Sequence, residues 1–189
     1  MGFISLYFLA FIVTLFLVYF LVPKKIRWMI LLIFSIIFYL LCSWKSIFFI
    51  LFTTICIYFA SINISKNKTR EKIYLAENTS LTIDEKKAYK AKNKKIRKTH
   101  MVLGIISIVA VLAVMKYLNF TIGNINTVLG WFNSSFRLNT VKWFLPLGIS
   151  FYTFQAIGYI ADVYWGKYEA EQNFFKFLLF MSFFPKIMQ

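Results

Sequence analysis

Two cysteines, one histidine and seven carboxylates are all that this 189-residue chain offers of the residue types that most often carry chemistry. Cys42 and Cys56 both sit in apolar runs, without the ladder of spacings that marks a disulfide framework or a zinc site. They read as two small buried hydrophobes. The single histidine, His100, has no carboxylate or cysteine near it in sequence. A general base needs an orienting partner and a proton within reach, so His100 reads as an interfacial residue and not as a catalyst. No nucleophile elbow, phosphate loop or metal-ligand spacing is present. The first apolar run has no basic start and no small-residue exit of the kind a cleaved secretory signal shows, and it reads as a retained helix.

What the chain has in abundance is apolar and aromatic surface: 60% of its residues are hydrophobic and 21% aromatic. A soluble domain of this size would be left with exposed apolar patches far larger than such proteins tolerate. A bilayer removes the difficulty. The net charge of +15 does not contradict this, because twelve of the 22 basic residues fall between Lys66 and Lys98. A basic chain can mean nucleic acid, but basic residues abutting long apolar runs fit the cytoplasmic face of a membrane better, and no nucleic-acid partner is expected.

A spanning helix needs about 20 apolar residues, since the hydrocarbon core is about 30 Å thick and each residue rises about 1.5 Å. The expected fold class is therefore an all-α integral membrane protein with about five transmembrane helices. Residues 1–62 are expected to hold three, at 3–22, 26–42 and 47–62, the last two joined as a tight hairpin by Ser43, Trp44, Lys45 and Ser46. Residues 63–100 form a basic cytoplasmic loop containing a helix, which Thr82 and Glu85 would start as a capping box. That helix reads as solvated near anionic headgroups, with docking of a partner as the alternative. Residues 101–189 supply two more spans, 101–118 and 143–163, and an apolar segment, 174–188, too short for a full crossing and so re-entrant or interfacial. Lysine and arginine in the loops place 63–100 in the cytoplasm, and counting crossings back from there places the amino terminus outside.

The fifth span carries a polar stripe. At about 100° per residue, Gly148, Tyr152, Gln155, Tyr159 and Asp162 share one narrow arc, which must face other helices or a wet cavity. It can be structural, with Gln155 donating across a helix interface and Asp162 reaching the headgroups. Alternatively it lines a path for a polar substrate, and the spacing leaves both open. Pro146 near its start loses no bond there.

The stretch Leu145-Pro-Leu-Gly-Ile-Ser-Phe-Tyr-Thr-Phe-Gln155 resembles a signature of the membrane-bound O-acyltransferases. It is followed by Gly158-Tyr-Ile-Ala-Asp-Val-Tyr-Trp-Gly166, by Asn173-Phe-Phe-Lys-Phe and by Ser182-Phe-Phe-Pro-Lys-Ile-Met-Gln189. Order and spacing are similar to the bacterial branch that acetylates alginate and transfers D-alanine to teichoic acids. The resemblance covers residues 145–189 and implies part of that fold, an amino-terminal fragment. It further implies transfer of an acetyl or D-alanyl group from a cytoplasmic thioester, acyl-CoA or an acyl-carrier protein, to a hydroxyl of an extracellular polymer. No cofactor is bound on this reading. The partners implied are membrane lipids, the donor carrier and an extracytoplasmic acyl-transfer protein. The location is a bacterial plasma (inner) membrane. The family's catalytic histidine lies beyond the signature and has no counterpart here, so the chain alone is expected to be inactive. Tyr152, Gln155, Tyr159 and Asp162 become candidates for the tunnel wall. A small non-catalytic membrane scaffold is the alternative; a transporter half would need an internal repeat, which the sequence lacks.

Expressed in full, the chain should sediment with membranes and stay monodisperse only in detergent or lipid. A monodisperse species in plain buffer, seen by size-exclusion chromatography, would overturn the membrane reading.

Overall fold

The computed structural model describes residues 6–79, 81–131, 138–139 and 148–188. Among these every regular element is helical: α1 Leu6–Leu21, α2 Arg27–Glu77, α3 Ile83–Trp131, α4 Ile149–Trp165 and α5 Phe174–Ser182, followed by a 3-10 turn, Phe184–Met188. Two stretches, Ser46–Glu77 and Ile83–Trp131, contain windows long and apolar enough to cross a membrane; Leu6–Leu21 and Arg27–Leu41 are apolar but shorter.

α1 folds back on the first half of α2. Pro23 ends the first helix, because its ring cannot continue the hydrogen-bond ladder. The turn is held by Arg27, whose Nε donates to the Val22 carbonyl at 3.2 Å and whose guanidinium covers the Tyr19 ring at 5.0 Å. Beyond it Phe11 packs on Phe34 and Phe8 on Phe38, ring centroids 5.3 and 6.3 Å apart, so the two helices run antiparallel.

The expected hairpin at Ser43–Ser46 is absent. The backbone is helical without a break from Arg27 to Glu77, 51 residues or about 76 Å at the standard rise. Ser-Trp-Lys-Ser contains neither glycine nor proline, and none of its residues costs an α-helix more than a fraction of a kcal/mol, roughly 0.5. Polarity alone does not stop a helix. One consequence is topological. Lys24, Lys25 and Arg27 now stand at the end of α2 opposite the lysine-rich residues, so the count of crossings that placed the amino terminus outside loses its support.

The lysine-rich segment is likewise no separate loop. α2 continues to Glu77 and α3 starts at Ile83, leaving only a short connection. The capping box forms as expected: Glu85 N donates to Thr82 Oγ1 at 3.3 Å, and Thr82 N donates to Glu85 Oε2 at 2.9 Å. The bond from the Thr82 amide holds the exposed Glu85 carboxyl below its ordinary range. α3 also runs past the expected end of its span at residue 118 to Trp131.

α2 and α3 form one antiparallel seam that changes character along its length. Near the connection Tyr74 stacks on Tyr89 at 4.3 Å. Next, Arg97 Nη1 donates to Glu71 Oε2 at 2.5 Å and to Asn67 Oδ1 at 3.1 Å, and Asn67 Nδ2 donates to Asn93 Oδ1 at 3.0 Å. The Arg97 and Glu71 side chains are only 12% and 14% exposed, so solvent screens this pair weakly. Deeper along the seam it turns apolar, with Gly104, Ile108, Met115 and Ile122 buried on one face of α3. On the opposite side Leu103, Ile106, Tyr117 and Phe120 are each more than half exposed, the arrangement lipid would cover.

α4 and α5 lean on this pair. At Gly104 three helices meet: a Cβ there would stand 3.0 Å from Ile160 Cδ1 of α4 and 3.1 Å from Ala60 Cβ of α2. Small residues at such crossings let backbones approach closely where no solvent drives association.

The crossing predicts a graded response. Gly104→Ala should be near neutral, since about 1 kcal/mol of helix propensity offsets the crowding. Gly104→Leu should cost about 2–3 kcal/mol by overpacking. Gly158→Ala, at a position with open space around it, should stabilise by about 0.5–1 kcal/mol. Thermal unfolding in detergent ranks the three.

Candidate functional site

The described part of the fifth span begins at Gly148, whose φ of 73° lies in the left-handed region open to glycine, and α4 follows from Ile149. The expected span from residue 143, with Pro146, otherwise falls outside the described residues. At the other end Gly166, φ 79°, closes α4: its amide donates to the Val163 carbonyl at 3.1 Å, and Lys167 N donates to Asp162 O at 3.0 Å. The Lys68 ammonium lies over Gly166, where any Cβ would strike it. A cation at a helix carboxy terminus complements the unpaired carbonyls.

Each of the four candidate residues has a definite place. Tyr152 is buried, 1% exposed, and its hydroxyl has no hydrogen-bond partner among the described residues. Tyr39 of α2 is buried in the same hydrophobic cluster. Gln155 is half-buried and its Nε2 donates to the Phe180 carbonyl at 2.6 Å. That carbonyl belongs to the last turn of α5, where no helical amide follows to bond it, so Gln155 caps α5 from the side. Tyr159 Oη accepts from Glu171 N at 2.9 Å while its ring packs on Phe177 at 4.7 Å. Asp162 pairs with Lys167 at 2.8 Å, which holds the exposed lysine above its ordinary value.

Gln155, Tyr159 and Asp162 therefore form a structural line facing α5 and the return after Gly166, and Tyr152 does not join it by a hydrogen bond. Tyr58 of α2 joins it from the other side, donating its hydroxyl to the Gln172 carbonyl at 2.5 Å. Asn173 starts α5 by accepting from Phe175 N and Lys176 N at 3.0 and 3.2 Å. α5 then runs back along α2, from Tyr58 near Phe174 to Phe38, on which Phe184 stacks at 5.0 Å. The helix stops at Ser182, ahead of Pro185.

Sequence reasoning passed over Ser35 and Tyr39. Four residues apart on α2, they share a helix face and are both fully buried at 0% and 1% exposure. Tyr39 belongs to the same buried cluster as Tyr152. The polar spacing within an apolar run was the available signal. Among the described residues no group of three or more histidine, cysteine or carboxylate side chains is placed to hold a metal. His100, half-buried, lines a cleft with Asn63, Asn67 and Arg70, well away from Tyr152 along the bundle.

Comparison with known proteins bears out the resemblance read from residues 145–189. The chain is 36% identical over 89 residues to the probable alginate O-acetylase AlgI of Pseudomonas aeruginosa, a stretch that is 47% of this chain and 17% of that protein. It is 34% identical over 89 residues to the protein of the same name from Azotobacter vinelandii, with the same coverage. A third, from Pseudomonas fluorescens, is 48% identical over 44 residues, 23% of this chain and 9% of that protein. The matched stretch thus spans about a sixth of the length of the first two relatives. No family model and no solved structure matches the chain.

Two substitutions separate the roles in the stripe. Gln155→Leu leaves the Phe180 carbonyl unpaired and should cost about 1–2 kcal/mol. Tyr152→Phe removes a hydroxyl that the described fold does not use and should leave stability unchanged or raise it by up to about 1 kcal/mol. Thermal unfolding in detergent compares them; a large loss for Tyr152→Phe would reveal a partner for that hydroxyl.

Proposed function

We propose that this chain is part of a membrane-bound O-acyltransferase that moves an acyl group, acetyl or D-alanyl, onto a hydroxyl of an extracellular polysaccharide or cell-wall polymer. The observation that carries the reading is the 34–37% identity over 89 residues to proteins named as alginate O-acetylases. The donor on this reading is a cytoplasmic thioester, acyl-CoA or a loaded carrier protein. The chain spans a bacterial inner membrane with its lysine-rich connection between α2 and α3 on the cytoplasmic side. An extracytoplasmic acyl-transfer protein is the expected partner.

The role of these residues is to build and hold a wall. α4 brings Tyr152 into the buried cluster that also holds Tyr39, where a Tyr152 hydroxyl with no partner among the described residues is free to orient a polar group. Gln155, Tyr159 and Asp162 spend their polar atoms on α5 and the return that precedes it, and so fix the position of α4. His100 lies in the polar part of the bundle and is not the base that abstracts the acceptor proton. The base comes from outside these 189 residues, and the chain alone turns nothing over.

A second reading, a non-catalytic membrane scaffold, is favoured by one observation: three of the four stripe residues are engaged within the fold. A chimera decides. The 89-residue stretch of the Pseudomonas aeruginosa relative is replaced by its counterpart from this chain, and the acetyl content of the polymer is measured in cells. Acetylation at a substantial fraction of the parent level is expected. A chimera that reaches the membrane in normal amount yet leaves the polymer unacetylated would favour the scaffold.

A further inference from the structure

The two clefts at the lysine-rich end of the bundle share two side chains, Lys66 and Arg70, one helical turn apart on α2. One cleft, about 500 Å³, lies between α2 and the return before α5, lined by Tyr58, Ser65, Thr69 and Gln172 besides the two cations. The other, about 400 Å³, lies between α2 and α3, lined by Asn63, Asn67, Ile96 and His100. No carboxylate lines either. Of the acidic side chains on the flanking elements, Glu71 is committed to Arg97, Asp162 to Lys167 and Glu171 Oε1 to the Asn173 amide, while Glu169, beside Ala170, is exposed and lines neither cleft. Neither Lys66 nor Arg70 makes an ion pair among the described residues. Two cations a turn apart at the mouth of adjoining concave spaces, ringed by hydroxyl, amide and imidazole groups, form a recognition surface for a tetrahedral oxyanion.

We propose that Lys66 and Arg70 bind a phosphate group, the arginine by paired N–H donors and the lysine as a point charge. The inference stands apart from the acyltransferase reading. Its position along the bundle narrows the source. The pair sits where the apolar part of the seam, marked by Ile57, Ala60 and Gly104, gives way to the polar Asn67–Asn93–Arg97 part. That is the depth of lipid phosphates, and it is open as well to a soluble phosphate ester from the aqueous side.

Two arms distinguish the sources. In the first, the full chain in neutral phosphatidylcholine nanodiscs is titrated calorimetrically with inorganic pyrophosphate. In the second, the chain is released from nanodiscs containing phosphatidylglycerol, and retained anionic lipid is counted by native mass spectrometry. Both are repeated with Lys66→Ala/Arg70→Ala and with Lys95→Ala/Lys98→Ala, which removes the same charge from exposed positions of α3 outside either cleft. The first pair should weaken binding by about ten-fold or more in the arm that registers it, as loss of two charge-assisted contacts implies. The second pair should change it less than about two-fold, the part due to general surface potential. Thermal unfolding of the two double variants should coincide. Pyrophosphate binding identifies a soluble ester, and lipid retention alone identifies a headgroup. Binding in neither arm, or equal loss in both pairs, would overturn the proposal.

Discussion

The antiparallel contact between α2 and α3 is what everything else rests on. Along one stretch it is a hydrogen-bonded row, Glu71, Arg97, Asn67 and Asn93; along the next it is a dry crossing built on Gly104. The two halves do different work. In the polar half, specific bonds fix which turn of α2 meets which turn of α3, because a shift by one turn would leave Arg97 and Glu71 buried without partners, a loss on the order of several kcal/mol. In the apolar half there is no such penalty for slipping. Gly104 matters there because it lets α4 approach both helices at once.

α4 and α5 inherit their positions from that pair. Ile160 fills the space over Gly104, and the end of α4 meets Lys68 of α2 at Gly166. The return then brings Tyr58 against Gln172 and Tyr159 against Glu171, so α5 has to start beside Tyr58 and run back along α2. Gln155 completes the arrangement by bonding a carbonyl that α5 itself leaves unpaired. On the same arc of α4 the buried Tyr152 hydroxyl remains, which nothing in the described fold uses. Three residues that hold the fold and one unengaged hydroxyl thus share a single arc of α4.

Much of this was legible from local patterns. The Thr82–Glu85 cap, the helical character of the lysine-rich residues and the shared arc of Tyr152, Gln155, Tyr159 and Asp162 are all consequences of spacing within a few turns. The Ser43–Ser46 hairpin was misread because polarity in an apolar run looks like an exit from the membrane. A helix ends for backbone reasons, and that segment offers none. The same error shortened the helices on both sides of the lysine-rich connection.

By itself the sequence determined that this chain is helical with runs long and apolar enough to cross a membrane, that Thr82 and Glu85 start a helix, and which residues of α4 share a face. Those properties depend on side chains within about four residues of one another. Only the tertiary structure decided that Arg97 pairs with Glu71, that Gly104 seats three helices, that Gln155 serves α5 and that Lys66 and Arg70 are left facing open clefts. Each of these joins groups separated by tens of residues, and the partner is chosen by which buried polar group would otherwise go unpaired, a quantity no local pattern contains.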